Sequence, residues 1–85
     1  MRPLQYFDRR ERVFLSVERG EDEYEVEATF SVHLASDGTR YADYLGHVMR
    51  GMPAEDAQLT DRELAQAEAK AIDSALNAQG GGYWS

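Results

Sequence analysis

Residues 59–79, LTDRELAQAEAKAIDSALNAQ, have the sequence pattern of a single helix with both of its ends marked. Thr60 and Glu63 have the spacing of a capping box, in which each side chain accepts a hydrogen bond from the backbone amide of the other residue. Asp61 places negative charge in the first turn, where the helix dipole favours it. Gly80 begins a run of three glycines and ends the helix.

The predicted helix is amphipathic and therefore has to pack against another element. At about 100° per residue, its apolar side chains collect on one side and its polar side chains on the other. The expected apolar face consists of Leu64, Ala65, Ile72, Ala75 and Leu76, with Ala67, Ala71 and Ala78 on its flank. A matching apolar surface has to come from earlier in the chain.

Two segments with strand periodicity supply that surface. Val13, Leu15 and Val17 lie at every second position, and residues 24–34, YEVEATFSVHL, continue the alternation over a longer run. A two-residue turn at residues 20–21, with glycine first, would join them as a hairpin. A four-residue loop over residues 20–23 keeps the same parity but shifts every cross-strand pair, so the sequence leaves both turns open. Either turn gives a hairpin with one apolar face.

Residues 41–52 fit two patterns. Tyr41, Tyr44 and Val48 have helical spacing, but Gly46 and Gly51 each disfavour a helix by about 1 kcal/mol relative to alanine. A strand is the alternative, and residues 1–8 either extend the first strand or form a short leading arm. The predicted fold class is α+β. It is an antiparallel sheet of about three strands, from a hairpin near 12–35 and a short strand near 43–50, packed against one C-terminal amphipathic helix (60–79).

Composition limits the classes of protein to consider. The 85 residues suffice for one domain, predicted at 1–79, with 80–85 as a flexible glycine-rich aromatic tail. The absence of cysteine excludes disulfides and thiolate metal sites and fits a reducing cytoplasm. No apolar run reaches the roughly 18 residues of a membrane span. The net charge of −7 argues against direct nucleic-acid binding and suits a basic protein partner.

The order of these elements resembles small proteins encoded by tailed bacteriophages and prophages. The shared pattern joins an alternating strand, a glycine–acid turn, the strand YEVEATFSV, a short strand ending in glycine, and LTDREL at a helix start. It covers residues 12–78 and implies a strand at residues 44–49. The shorter middle segment and the terminal GGGYWS depart from it. The resemblance brings no known activity and no functional residues.

Enzymatic chemistry has no set of residues to support it. His33 and His47 are the two histidines, and neither His-x-x-x-His nor a carboxylate–histidine cluster accompanies them, so no metal site is predicted. No serine lies in a nucleophile elbow. The glycine run follows a helix instead of preceding one, which excludes a phosphate loop. We therefore expect neither enzymatic activity nor a cofactor.

Charge and exposed aromatic residues point instead to binding. Acidic residues crowd positions 18–27, and Phe14 falls on the polar face of the hairpin. Two aromatic residues follow the glycine run, and such residues are common in interface hot spots. The predicted partner-binding residues are Phe14, Glu18, Glu21, Asp22, Glu23, Glu25, Glu27, Tyr83 and Trp84.

The charge and the phage-type pattern favour an inhibitory binding module over a structural protein. In its general properties the chain is similar to anti-CRISPR inhibitors, which implies a binding module in the host-cell cytoplasm. Its carboxylates would stand in for phosphates in a basic, nucleic-acid-binding groove of a host defence complex. No contact with nucleic acid itself or with a membrane is expected. The alternative is a structural or assembly protein without inhibitory role, a homodimer in which the alanine-rich helix lets a second copy approach closely.

Overall fold

The long hairpin is the largest element of the fold. The computed structural model describes residues 4–79, in which β1 (Tyr6–Arg19) and β2 (Asp22–Ala35) pair antiparallel along their whole length. Val17 lies opposite Tyr24 and Leu15 opposite Val26, which is the register of the two-residue turn. Gly20 has a φ of 67°, a left-handed conformation that glycine adopts at no steric cost. The two-residue alternative is therefore the one the chain adopts, and β1 starts at Tyr6 instead of near residue 12.

The third strand, β3 (Arg40–Met49), includes most of the segment at 41–52, whose sequence fitted both a helix and a strand. It pairs antiparallel with β2 and gives a three-stranded sheet in the order β1-β2-β3. The pairing shifts where Thr29 lies opposite Gly46 and Phe30 opposite Tyr44, which leaves Leu45 as the extra residue of a β-bulge. The strand prediction is confirmed, and the helical alternative is wrong.

One helix, α1 (Asp61–Gln79), covers one face of this sheet. It follows a short 3₁₀ segment, Ala54–Asp56, and the predicted α+β class is confirmed. Its line of closest contact is Ala67, Ala71 and Ala75, each fully buried. Apolar side chains on alternate positions of the strands form the other half of the core, with Val26, Phe30 and Val32 as the largest fully buried ones.

The face of α1 that packs against the sheet is rotated about the helix axis relative to the expected apolar face. Ala65 and Ala78 are exposed, while Ala67 and Ala71, expected on the flank, lie at the centre of the contact. The reason is size, since small side chains let the helix lie close to the sheet. Longer side chains then pack along both margins of the alanine line; these half-buried residues are Leu64, Ile72 and Leu76. Three alanines of the helix expected to receive a second copy, Ala67, Ala71 and Ala75, are thus used within the chain.

The start of α1 is tied to the hairpin turn. The capping box is confirmed, because the Glu63 amide donates to Thr60 Oγ1 at 3.1 Å and the Thr60 amide donates to Glu63 Oε1 at 2.9 Å. Arg19 completes the site with two hydrogen bonds to the Glu63 carboxylate, at 2.5 and 2.8 Å, and one to the Gln58 carbonyl at 2.9 Å. These bonds, the one from Arg19 first, lower the pKa of Glu63 from 4.5 to about 2.

A buried carboxylate ties the other half of α1 to β1. Glu11 continues the core-facing positions of β1 and is only 6% exposed. Its Oε2 accepts a hydrogen bond of 2.9 Å from the Ser74 hydroxyl, and its other oxygen forms an ion pair with Arg9. Lys70, between these two ties, donates to the Phe14 carbonyl at 3.0 Å and so occupies part of the free edge of β1. Together these contacts fix how α1 lies along the hairpin.

We predict that Ala71→Leu destabilises the protein by about 1–3 kcal/mol, because a larger side chain overpacks the closest point of the contact between α1 and the sheet. Ala65→Leu, on the exposed side of the same helix, serves as the matched control and leaves stability nearly unchanged. Urea unfolding followed by circular dichroism measures both. Equal stability of the two variants would show that α1 packs on a different face.

We predict that the ion pair of Glu63 stabilises the fold above pH 4.5 and that this contribution disappears as the pH falls towards 2. The sign follows from a pKa lower in the folded than in the unfolded chain. Glu63→Gln keeps a capping residue but loses the charge, so its Tm is several degrees below the parental value at pH 7 and approaches it near pH 2. Thermal unfolding at several pH values measures this, with Glu68→Gln, an exposed position of the same helix, as the control. A Tm difference that stays constant between pH 7 and pH 2 would contradict it.

Candidate functional site

The sheet face opposite α1 is not covered by any other part of residues 4–79. We call it the outer face. Strand alternation places on it the side chains of Tyr6, Asp8, Arg10, Arg12, Phe14, Ser16 and Glu18 from β1, those of Glu23, Glu25, Glu27, Thr29, Ser31, His33 and Ala35 from β2, and those of Tyr41, Asp43 and Val48 from β3. Because the domain measures 55 × 20 × 17 Å, this face is long and narrow.

The hairpin turn carries a group of carboxylates that we call the acidic end. Its members are Glu18, Glu21, Asp22, Glu23 and Glu25, and all five are exposed. Glu18 and Glu23 lie directly opposite each other, a like-charge pair that is unfavourable in an isolated sheet. Within residues 4–79 no side chain pairs with any of the five, since Arg19, the cation next to the turn, is held by Glu63.

The sixth predicted acid, Glu27, differs from the others. It is half-buried in the middle of the outer face and forms an ion pair of 2.9 Å with Arg12. Phe14 flanks it on β1 and Val48 flanks it on β3, and these apolar side chains are 51% and 62% exposed. The prediction that Phe14 points away from the core is confirmed. Val48 was missed, because only the bulge in β3 places it on this face.

A cluster around His33 occupies the far end of the outer face. The ring nitrogen Nδ1 lies 2.8 Å from Asp8 Oδ1 on β1, and Nε2 lies 3.2 Å from Asp43 Oδ2 on β3. Tyr41 stacks on the ring with 4.7 Å between centroids. The expectation that no carboxylate accompanies a histidine is therefore wrong. Asp8 is 25 positions and Asp43 is 10 positions from His33 in the sequence, and only the strand register brings them together.

The His33 cluster is arranged to hold a positive charge. The hydrogen bond with Asp8 raises the pKa of His33 above its ordinary value of 6.5, and Asp43 raises it further. Ser31 Oγ lies 3.3 Å from Nε2, which gives the outline of a serine–histidine–aspartate triad. With both ring nitrogens directed at carboxylates, however, the imidazolium has no free lone pair to take the serine proton. The cluster therefore joins the three strands of the sheet.

The second histidine connects β3 to the segment before α1. His47 Nε2 donates to the Ala57 carbonyl, and its Nδ1 is hydrogen-bonded to the Tyr44 hydroxyl. A shallow groove of about 500 Å³ lies beside it, lined by apolar and uncharged polar residues including Met52 and Gln58. The described residues that line this groove include no carboxylate, lysine or arginine. Among residues 4–79, no three His, Asp or Glu side chains are grouped to hold a metal ion.

Two predicted site residues, Tyr83 and Trp84, lie outside the described residues, as does the predicted tail at 80–85. Within 4–79, five of the remaining seven lie on the outer face, Glu21 lies in the turn, and Asp22 is the exposed first residue of β2. The helix of this region is not long and apolar enough to cross a membrane.

Comparisons with known proteins do not identify a family for this chain, so the site itself is the basis for a proposed function. The chain matches no protein-family model, no curated protein and no solved structure.

We predict that protonated His33 stabilises the sheet. Its pKa is higher in the folded than in the unfolded chain, so the contribution is complete below pH 6.5 and is lost as the pH rises through the raised pKa. Histidine NMR signals followed from pH 5 to 9 measure that pKa. Asp8→Asn lowers it most and Asp43→Asn lowers it less. A pKa of His33 that both variants leave unchanged would mean that the cluster does not form.

Proposed function

We propose that the protein is a non-enzymatic binding module whose acidic end and outer face occupy a basic surface on a partner protein. The observation that carries this proposal is the unpaired charge of the acidic end. Arg19 is adjacent to these carboxylates, but both of its terminal nitrogens donate hydrogen bonds to Glu63. Its charge is therefore paired with α1 and does not neutralise the acidic end. The acidic end thus retains self-repulsion that a basic partner would relieve.

The spacing of the carboxylates suits a surface made to bind phosphates. Glu23 and Glu25 lie at alternate positions of β2 and therefore follow one another at about 6.8 Å on one face. Glu27 continues this spacing, although Arg12 already compensates its charge. A regular row of negative charges is the feature that lysine and arginine recognise in a nucleic-acid backbone. The row supports a partner whose own groove binds nucleic acid.

Phe14 and Val48 supply the apolar part of the proposed contact. They lie in one row across the sheet on either side of Glu27, next to the acidic end. Aromatic residues surrounded by a charged rim are frequent anchors of binding energy in interfaces. In this arrangement the carboxylates accelerate association and Phe14 slows dissociation.

Occupying a nucleic-acid groove would make the protein an inhibitor. The small acidic chain and its phage-type pattern of elements support a host defence complex of the CRISPR type as the target. Competition is the expected mechanism, because protein and nucleic acid would need the same lysine and arginine side chains. This mechanism uses no catalysis and no cofactor.

The experiment combines competition with charge reversal. CRISPR effector complexes from bacterial hosts are assayed for target binding with and without the protein, and association rates are then measured for each complex that it inhibits. The variant Glu21→Lys/Glu23→Lys/Glu25→Lys keeps its fold, since the three carboxylates are exposed and have no partner within residues 4–79, and even paired surface charges contribute only about 0–1 kcal/mol. It associates at least tenfold more slowly at low salt, and the difference shrinks above 0.1 M salt, where the Debye length falls below about 10 Å.

A matched control separates the acidic end from net charge. Glu55→Lys/Glu68→Lys/Asp73→Lys makes the same change of charge at exposed positions of the 3₁₀ segment and α1, and it keeps the parental association rate. Equal slowing by both triple variants would attribute binding to net charge alone. Failure to inhibit any nucleic-acid-binding complex would remove the inhibitory role.

A further inference from the structure

The outer face is large enough for a second sheet. Its strands are up to 14 residues long, which gives about 48 Å at about 3.4 Å per residue, and neighbouring strands lie about 4.8 Å apart. The flat area is therefore about 600 Å² per copy. A standard stable interface uses roughly 800 Å² per partner, so a contact over this face would be weak and reversible.

Charged side chains of opposite sign lie on the two sides of Phe14. Towards the turn, the outer positions carry the unpaired Glu18 and Glu25. Away from the turn, β1 carries Arg10, and also Arg12, which is paired with Glu27; further along, Asp8 and Asp43 lie against His33. Glu18 and Arg10 are each four residues from Phe14, or about 14 Å along the strand. Arg10 is exposed and has no ion pair within residues 4–79. Glu18 and Arg10 are thus complementary to each other when the face is reversed about Phe14.

We infer that a second copy of the chain docks on the outer face in the reversed direction, with the two-fold axis at the row of Phe14 and Val48. Two sheets stacked about 10 Å apart and within about 30° of parallel would set Glu18 of each copy against Arg10 of the other. Phe14 and Val48 would meet their own counterparts at the axis. Glu27 also meets its counterpart, but its charge is already compensated by Arg12 at 2.9 Å.

This dimer covers part of the acidic end. Self-association and binding of a basic partner therefore exclude each other, and the dimer holds the charged surface out of contact until a partner displaces the second copy. Only this competition rests on the proposed function. The dimer itself is tested with the purified protein alone, so the two ideas fail separately.

Sedimentation equilibrium with a charge swap tests the contact. The parental protein gives a weight-average mass that rises with concentration from 9.6 kDa towards twice that value. Arg10→Glu and Glu18→Arg each keep the mass at the monomer value, although Glu18→Arg makes the chain less negative. The double variant associates again. An equimolar mixture of the two single variants also associates, since one chain then carries acids at both positions and the other chain carries bases at both.

The control is Arg62→Glu, which makes the same change of charge as Arg10→Glu on the exposed side of α1 and leaves association unchanged. Circular dichroism verifies the fold of every variant. A parental protein that stays monomeric at the highest concentration would overturn the inference. Association that survives both single substitutions would also overturn it, because the interface would then lie on another surface. An equimolar mixture of the single variants that stays monomeric would overturn it as well.

Discussion

The contact between the alanines of α1 and the sheet is the constraint on which the rest of the structure depends. A 19-residue helix is about 28 Å long and can cover one face of a narrow three-stranded sheet. Ala67, Ala71 and Ala75 let it approach closely enough to bury Phe30 and the valines beneath it. The opposite face remains open to solvent along its length. An open face with unpaired charge is the physical basis of both proposals.

The same packing also explains how charge is distributed. Arg19 joins Glu63 at the start of α1, and Ser74 joins Glu11 further along, so polar ties at two points fix the helix on the hairpin. The first tie removes from the turn the cation that would otherwise neutralise its carboxylates. Stabilising the helix and leaving the acidic end unpaired are therefore two results of one ion pair.

Local patterns in the sequence predicted most of the fold. Strand alternation, the glycine of the turn and the capping box each depend on residues a few positions apart, and all three are found in the structure. The angular position of the helix contact was wrong, since hydrophobicity alone ranks leucine above alanine and ignores how small residues permit close approach. The helical spacing of Tyr41, Tyr44 and Val48 was misleading, because Tyr41 and Val48 lie on the outer face and Tyr44 lies on the other face, opposite Phe30. The bulge at Leu45 shifts the core-facing positions of β3 from even to odd.

Some residues of the candidate site could also be predicted from local patterns in the sequence, and others could not. The acidic end and Phe14 were predictable, because they follow from alternation within one hairpin. Val48 required the bulge, and the pairing of His33 with Asp8 and Asp43 required the register of all three strands. Contacts between strands far apart in sequence depend on parity, and a single bulge reverses parity for every later residue.

If α1 covers one face of the sheet, the other face is open to solvent. Attenuation of NMR signals by a neutral paramagnetic agent, at low protein concentration, measures this directly. We predict strong attenuation for the Phe14 ring and the Val48 methyl groups, and little for the methyl groups of Val26 and Val32. Similar attenuation of all four, or protection of Phe14 and Val48 in the dilute monomer, would contradict it.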